Sequence, residues 1–269
     1  MKKIDLYMML VVLILCSSCS MFELDNYDEP TETIKGTITD VLTGKPILTD
    51  QGGEGIRVRM LELSWGDNVG YNPDIYCKSD GTYQNTKVFK GEYNVQVDGP
   101  FIPLYRTDEN GTPLHDGTWT GEISGVTEVN FKVQPFLNIE WVGDPIVSNG
   151  RIKTKIKVTR GVSNEDFRAA IESMGNWDDS WQNVTDIQLF VSLSPSVGYR
   201  ARDVRWTGQI EFDGSSFEEF LDKEVEISSE GSIPDGYVVF IRAAARINYE
   251  TVNQRRYNYN EAKQVLIAN

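Results

Sequence analysis

Three tryptophans lie in polar, turn-rich stretches of the sequence where an aromatic ring could bind a sugar. Trp177 and Trp181 bracket the polar residues 178–180, and Trp65 lies in a long segment between two predicted strands. A sugar ring presents C–H groups that stack on an aromatic face, while nearby polar side chains bond its hydroxyls. The sequence therefore makes Trp65, Trp177 and Trp181 candidate glycan-stacking residues. The alternative is that these rings fill the ends of the fold, because large apolar side chains are usually buried.

Residues for acid–base, nucleophilic or metal chemistry are few. His115 is the one histidine, and no Gly-x-Ser-x-Gly segment is present to supply a partner nucleophile. A zinc site needs several His or Cys ligands, which this chain lacks. Adjacent acids such as Asp178-Asp179 and Glu218-Glu219 do not identify two carboxylates across a cleft. We therefore predict no catalytic residue, no metal site and no cofactor, and a hydrolase with an unrecognised site is the alternative.

Cys19 has the most specific chemistry, because it ends a segment with the features of a bacterial lipoprotein signal. Lys2 and Lys3 form a positive region, and residues 6–15 are an apolar run. That run is too short to span a bilayer, which needs about 20 residues. Two serines precede Cys19, so we predict a signal peptide over residues 1–18 and acylation of the Cys19 thiol. The alternative is an ordinary signal peptide followed by a coincidental cysteine.

The net charge disfavours nucleic acid and anionic lipid as partners, and the cysteine content excludes an intrachain disulfide. The formal net charge is −14, which repels nucleic acid and anionic lipid headgroups. Residues 19–32 are acidic and contain Pro30, so we predict a flexible tether between the lipid and the fold. Cys77 is the one cysteine left after the signal and Cys19 are set aside, so no intrachain disulfide can form. We predict that Cys77 is a small buried hydrophobe rather than a reactive thiol.

The elements that must position these residues are predicted to be strands. Apolar residues alternate with polar ones through most of the mature chain, clearly so at 93–97, 129–133, 137–141 and 187–193. Short one-sided runs of this kind, bounded by Gly, Pro, Asn or Asp, predict half-buried antiparallel strands. Residues 152–158 interleave three lysines with apolar residues. We interpret them as a solvated strand face, with an edge strand guarded by lysines as one option.

One stretch has helical spacing instead. Ser163 and Asp166 form a variant capping box, and Gly175 is placed to end the helix. The apolar residues between them share one face and are Phe167, Ala170, Ile171 and Met174. Residues 217–221 are a candidate for a second short helical turn.

Pro135 lies between two strongly alternating runs and marks the predicted domain boundary. We predict a first β-sandwich domain over residues 33–135 and a second over residues 136–269. The signal peptide at 1–18 and the tether at 19–32 precede them. The fold class is therefore all-β, with two antiparallel β-sandwiches and one or two short helices.

Five segments of the first domain follow a strand-and-turn order that suits a small β-sandwich. Gly44 and Gly81 stand where tight turns need a positive φ angle. The segments are GTITD at 36–40, TGKPI at 43–47, GIRV at 55–58, SDGTY at 79–83 and GEYNV at 91–95. Together they resemble the carboxypeptidase-regulatory-like, or transthyretin-like, β-sandwich. The resemblance implies a module that is usually not catalytic.

A second set of motifs covers most of the mature chain. The segments are LDNYDEP at 24–30, SWGDN at 64–68, DGTYQNTK at 80–87, DGPF at 98–101, WVGDP at 141–145 and RYNYN at 256–260. In this order they resemble a lipoprotein family of the Bacteroidota catalogued as domain of unknown function 3823. The resemblance implies a transthyretin-like domain followed by an immunoglobulin-like one, and residues 237–245 resemble a fibronectin-type central strand. It also implies a role beside outer-membrane glycan-uptake systems of the starch-utilisation type, and it names no catalytic residue.

The combined expectation is a non-enzymatic lipoprotein held in the outer membrane by its N-terminal lipid and facing the cell exterior. Its expected partners are a polysaccharide and a transporter complex of the starch-utilisation type, with no nucleic acid. The rival interpretation is a structural or adhesive surface protein that uses its sandwich domains as spacers or assembly modules.

Overall fold

The computed structural model describes residues 29–64, 70–71 and 74–268. In the first half, strands form wherever short alternating runs are separated by Gly-, Asp- or Pro-containing turns. A turn of 3₁₀ helix spans Gly52–Glu54. The strands of this half are β1 (Glu32–Asp40), β2 (Arg57–Glu62), β3 (Gly70–Tyr71), β4 (Ile75–Tyr76), β5 (Thr82–Val88), β6 (Gly91–Asp98), β7 (Tyr105–Thr107), β8 (Pro113–Asp116), β9 (Trp119–Ile123), β10 (Val126–Glu128) and β11 (Phe131–Val133).

Two sheets of the first half pack face to face. In one, β1 pairs antiparallel with β5 and parallel with both β10 and β11. In the other, the order is β3-β2-β6-β9, and β4 also pairs with β2. Ile38 and Phe131 of the first sheet share a buried core with Val58 and Val95 of the second. Pairing is antiparallel except at β1, where β10 and β11 run parallel because the chain after β9 returns alongside β1 in the same direction.

The second half forms another pair of sheets. One has the order β12-β13-β16, and the other has the order β15-β14-β17-β18 with β19 also on β17. Ile156 of the first sheet and Leu189 and Ile241 of the second lie in one buried core. The chain thus has the predicted all-β fold of two β-sandwiches. The elements are β12 (Leu137–Ser148), β13 (Arg151–Arg160), helix α1 (Asn164–Glu172), β14 (Val184–Ser192), β15 (Gly208–Glu211), β16 (Glu224–Ser228), β17 (Val238–Ile247), β18 (Asn258–Tyr259) and β19 (Lys263–Leu266).

Helix α1 forms where the capping pattern predicted it. The Ser163 side chain accepts a hydrogen bond from the Asp166 backbone N–H at 3.0 Å, which satisfies one of the free donors of the first turn. Phe167 and Ile171 are buried against the second core, and Gly175 takes a φ of 103° just beyond the helix. A 3₁₀ turn at Ser216–Glu219 overlaps the second predicted helical stretch, residues 217–221.

The lysine-rich strand β13 is not at an edge. It lies between β12 and β16, so the edge-strand option is wrong, whereas the predicted solvated face is confirmed. Its lysines do face solvent, where Lys153 pairs with Glu226 at 2.7 Å and Lys155 pairs with Glu224 at 3.1 Å. Glutamates of the neighbouring strand thus neutralise a row of like charges that an edge strand would leave exposed.

Strands β14 and β17 are buried on both faces rather than half-buried as expected. Leu189 points into the second core, while Phe190 belongs to a separate buried cluster with Tyr257 and Tyr259. Leu48 of the first half packs against that cluster. The outer face of the sheet is therefore covered by the chain after β17 and by the first sandwich.

Candidate functional site

The two sandwiches meet along an interdomain seam whose centre is Arg242 on β17. This residue is only 3 % exposed. Its guanidinium donates to the backbone carbonyls of Thr49 at 2.9 Å, Ser79 at 3.2 Å and Asn260 at 2.8 Å. It also lies over the Tyr259 ring, 4.5 Å from the centroid, and burial lowers its pKa. A buried cation needs such acceptors, so Arg242 fixes the first sandwich against the second.

Asp50 is the acidic counterpart on the first sandwich. Its Oδ2 accepts the backbone N–H of Arg200 at 2.9 Å and the Tyr259 hydroxyl at 3.1 Å. Its Oδ1 accepts the N–H of Gln51 at 2.8 Å. Burial, together with the nearby Asp50 carboxylate, raises the pKa of Tyr259 well above its usual range. The phenol therefore stays a neutral donor to Asp50.

Two further side chains close the seam. Arg256 donates through Nε to the carbonyl of Gly55 at 3.0 Å. Asn258 donates through Nδ2 to the carbonyl of Pro100 at 3.0 Å and accepts the Leu137 N–H at 3.1 Å. These bonds join residues more than 100 positions apart in sequence, so the relative position of the sandwiches is set by buried polar contacts.

An interdomain cleft of about 400 Å³ opens beside the seam. Its lining comes from the turn 40–48 of the first sandwich, the start of β12 at 137–141, and residues 258–261 around β18. The turn is rigid, because the buried Asp40 carboxylate accepts the Leu42 N–H at 2.9 Å and the Thr43 hydroxyl at 2.8 Å. Gly44 takes a φ of 68° within it, as the turn prediction required.

One wall of the cleft is the free edge of β12. Among the described residues, β12 pairs with β13 alone. The N–H of Leu137 turns away from β13 toward Asn258. Since backbone groups alternate along an antiparallel strand, the N–H and C=O groups of Ile139 and Trp141 turn the same way. Backbone polar groups therefore add to the polar lining of the cleft.

Trp141 supplies an aromatic ring to this wall and is held in a defined orientation. Its indole Nε1 donates to the carbonyl of Glu261 at 2.8 Å. The Lys263 ammonium lies 5.5 Å from the ring centroid and is itself bonded to the Gly143 carbonyl and the Asp144 carboxylate. The half-buried ring also packs against the second core. Little freedom is left for Trp141 to lose when a ligand binds.

Asn260 lines the same cleft and has an unused donor. Its Oδ1 accepts the Ala243 N–H at 2.8 Å, which fixes the amide orientation. Its Nδ2 is buried and has no hydrogen-bond partner among the residues that the structure describes. A buried unpaired donor costs about 1–3 kcal/mol, so Asn260 lowers the stability of the fold at this position.

The ionisable side chains of the cleft are mostly acidic. Glu140 and Glu261 are exposed carboxylates, and Lys45 is an exposed cation on the facing turn. The Asp40 carboxylate is occupied within its own turn. The lining thus combines an aromatic ring, amides, hydroxyls and two free carboxylates, which together can stack on and hydrogen-bond a polyhydroxylated molecule.

Trp177 and Trp181 lie elsewhere, beside α1, and the structure brings them together. Their ring centroids are 6.1 Å apart, but the planes cross at 78°, so the pair is edge-to-face rather than a flat platform. Trp177 also meets Phe167 edge-on at 5.7 Å, and Trp181 meets Tyr249 at 5.5 Å. Both rings are half-buried against the second core. This geometry favours the packing alternative, and glycan stacking at the pair stays a prediction.

The other residues singled out from the sequence lie in different settings. Trp65 and Cys19 lie outside the described residues. His115 is exposed on the β7–β8 hairpin, opposite Arg106. Cys77 is buried, and burial raises its pKa to about 12, as expected of a structural thiol. Over residues 29–64, 70–71 and 74–268, the structure has no group of three His, Cys, Asp or Glu residues placed to hold a metal ion.

Comparison with known proteins decides the family. The family model "Protein of unknown function (DUF3823) N-terminal domain" matches residues 32–134. A DUF3823 family protein of known structure from Bacteroides uniformis ATCC 8492 is 63% identical, with a TM-score of 0.86. The match covers 88% of this chain and 100% of that one. The chain belongs to the DUF3823 family.

More distant structures share the DUF3823 fold. A DUF3823 protein from Parabacteroides merdae ATCC 43184 is 14% identical with a TM-score of 0.58, covering 88% of this chain and 100% of its own. A protein from Bacteroides uniformis ATCC 8492, described as a candidate carbohydrate binding protein, is 18% identical with a TM-score of 0.62, covering 88% and 99%. At these identities the likeness shows the fold alone. No curated protein matches the chain.

The cleft residues were not singled out from the sequence, although a signal was present. Segment 43–47 carries the transthyretin-like resemblance, while segments 141–145 and 256–260 carry the DUF3823 resemblance. All three segments contribute to the cleft lining. Parts of several motif segments therefore meet in one cleft, which no single segment could reveal.

Proposed function

We propose that this DUF3823 protein is a non-enzymatic lipoprotein of the outer-membrane surface that captures a glycan for a starch-utilisation-type uptake system. The observation that carries the proposal is the interdomain cleft, where Trp141 stands among amide, hydroxyl and carboxylate groups. Small-molecule sites are typically concave, about 300–1,000 Å³ in volume, and often lie between domains. The description of the related Bacteroides uniformis protein as a candidate carbohydrate binding protein supports the same ligand class.

The described residues support a binding role over a hydrolytic one. A glycosidase needs two carboxylates about 5–10 Å apart on either side of a bond, one of them with a raised pKa. Glu140 and Glu261 are both exposed to solvent rather than enclosed on either side of a bound bond. We therefore propose capture without cleavage.

The membrane anchor is proposed from the sequence. No helix in the described part of the chain is long and apolar enough to cross a membrane. If Cys19 carries the lipid, Cys19→Ala expressed in the native host should release the protein from membranes or leave an unprocessed precursor. Cys16→Ala is the matched control and should anchor normally. Normal processing and retention of Cys19→Ala would contradict the lipoprotein assignment.

Glycan capture is tested on residues 20–269, the mature chain without its lipid. A glycan array covering plant, host and microbial polysaccharides should show selective binding, and calorimetry should then give a saturable isotherm. Adding protein-specific antibody to intact cells should label the surface. If no glycan on the array is bound, the capture proposal is wrong.

The rigid seam favours one second candidate, a surface spacer. Arg242 and Asp50 lock the sandwiches together, as a spacer of fixed length would require. A spacer needs no ligand, so the array separates the two functions. Selective glycan binding supports capture, whereas its absence with normal anchoring supports the spacer.

A further inference from the structure

We infer that the interdomain cleft binds an uncharged oligosaccharide and rejects glycans that carry uronate or sulfate groups. This inference rests on the proposed glycan capture and specifies its site and ligand class. It places the main stacking contact at Trp141 rather than at Trp177 or Trp181.

The hydrogen-bonding groups of the cleft match hydroxyls rather than a single charged group. The carboxylates of Glu140 and Glu261 can only accept hydrogen bonds, whereas the backbone N–H groups at the free edge of β12 can donate them. A hydroxyl both donates and accepts, so a sugar can satisfy both kinds of group. The free edge of β12 adds backbone donors and acceptors beside the ring of Trp141.

The charges of the cleft argue against an anionic ligand. Glu140 and Glu261 bring two exposed carboxylates to the lining, against one lining cation, Lys45. The Lys263 ammonium near the Trp141 ring is already paired with the Asp144 carboxylate. The chain as a whole carries a formal charge of −14. An acidic sugar would therefore meet repulsion both at long range and inside the cleft.

The cleft is already formed, so binding needs little rearrangement. Trp141 is fixed by its bond to the Glu261 carbonyl, and the turn 40–48 is fixed by Asp40. The adjoining seam, bonded through Arg242, holds the two walls at a constant separation. A rigid groove of this kind selects a ligand by shape and hydrogen bonding.

The first experiment measures affinity for defined probes by calorimetry. Malto-, cello-, xylo- and mannohexaose are the uncharged probes, and hexagalacturonate is the anionic one. We expect at least one uncharged hexasaccharide to bind and hexagalacturonate not to bind. Trp141→Ala should weaken binding by about ten-fold or more, on the scale of losing one stacked ring. Trp141→Phe keeps an aromatic ring against the core and should bind with intermediate affinity, whereas Trp177→Ala should bind normally.

The second experiment reverses the local charge. Glu140→Lys/Glu261→Lys replaces two exposed side chains, and the melting temperature should fall only slightly, because Glu140 lies opposite Lys157 on β13. This variant should gain measurable affinity for hexagalacturonate. Glu92→Lys/Glu230→Lys changes the net charge equally at exposed positions outside the cleft lining and should gain none.

The outcomes are distinguishable. Binding of an uncharged hexasaccharide that survives Trp141→Ala but is lost in Trp177→Ala would overturn the cleft assignment and leave glycan capture standing. Binding of hexagalacturonate in preference to the uncharged probes would overturn the ligand class. If no probe and no glycan on the array bind, the proposed function fails and the inference fails with it. A peptide that binds the β12 edge should displace a sugar bound in the cleft. Binding of such a peptide without loss of bound sugar would also contradict the inference.

Discussion

Two parts of the same interdomain boundary differ in whether their buried polar groups have hydrogen-bond partners. At the seam, Arg242 and Asp50 find hydrogen-bond partners on both sandwiches. In the cleft next to it, the Nδ2 of Asn260 is buried without a partner among the described residues, and Trp141 borders an open space. Asn260 belongs to both parts, because its backbone carbonyl accepts a hydrogen bond from Arg242 and the residue also lines the cleft.

The difference indicates which part of the boundary serves stability and which serves binding. A satisfied polar network makes the position of each sandwich unique. A buried donor without a partner among the described residues, such as the Nδ2 of Asn260, costs stability instead. We interpret the seam as the support that holds the cleft open in one shape.

The largest expected effect is at the seam. Arg242→Met should lower the free energy of unfolding by about 3–5 kcal/mol, because several buried carbonyls would lose their donor. Urea unfolding of the mature chain measures the change. Arg151→Met is the matched control, since Arg151 is an exposed arginine, and it should change stability by less than about 0.5 kcal/mol. Equal losses in the two variants would mean that the seam contributes no special stability.

The next effect distinguishes the tryptophan pair, Trp177 and Trp181, from Trp141 in the cleft. Trp177→Ala should destabilise by about 2–3 kcal/mol, because its half-buried ring contacts both Phe167 and Trp181 edge-on. Its affinity for the best hexasaccharide should stay within about two-fold of the parent. Paired denaturation and calorimetry on one preparation give both quantities. If the Trp177→Ala variant keeps its stability but loses affinity for the hexasaccharide, the glycan site lies at Trp177 and Trp181 instead.

A smaller effect depends on pH. Asp186 is buried, which alone would raise its pKa, but hydrogen bonds from Tyr257 and the Arg246 ion pair at 2.7 Å hold that pKa below its usual range. Because folding lowers the pKa, the stabilisation is present above the unfolded value of about 3.9 and is lost as pH falls through the folded value.

Asp186→Asn should therefore show a shallower loss of unfolding free energy between about pH 4 and pH 2 than the parent. Urea titrations at several pH values test it. Asp213→Asn, at an exposed position, should keep the parental slope. Identical slopes in parent and Asp186→Asn would show that the lowered pKa does not contribute to stability.

The smallest expected effect comes from an unpaired buried hydroxyl away from the cleft. Thr154 Oγ1 is buried in β13 and has no partner among the described residues. Thr154→Val has nearly the same shape, so stability should stay constant or rise by about 1 kcal/mol. Glycan affinity should not change. A large destabilisation would indicate that the hydroxyl is satisfied, for example by a bound water.

Local features of this fold were predictable, and relations between distant residues were not. Helix α1 follows from Ser163, Asp166 and the apolar spacing, because all its determinants lie within one short segment. The place of β13 between two strands depends on β16, which begins more than 60 residues later. Its lysines alone could therefore not distinguish a central strand from an edge.

The same limit applied to the candidate sites. Trp181 is packed by Tyr249, which is 68 residues away, so its own polar neighbours suggested exposure instead. Trp141 and Asn260 meet in one cleft although more than 100 residues separate them. The sequence supplied the motifs that contain both residues, but only the pairing of strands shows that these motifs face each other.

The most direct test is a crystal structure of residues 20–269 with the tightest-binding uncharged hexasaccharide. We expect a sugar ring stacked on the Trp141 indole, hydroxyls within hydrogen-bond distance of the cleft carboxylates and amides, and an unchanged seam at Arg242. A sugar bound at Trp177 and Trp181, with only solvent in the cleft, would contradict it.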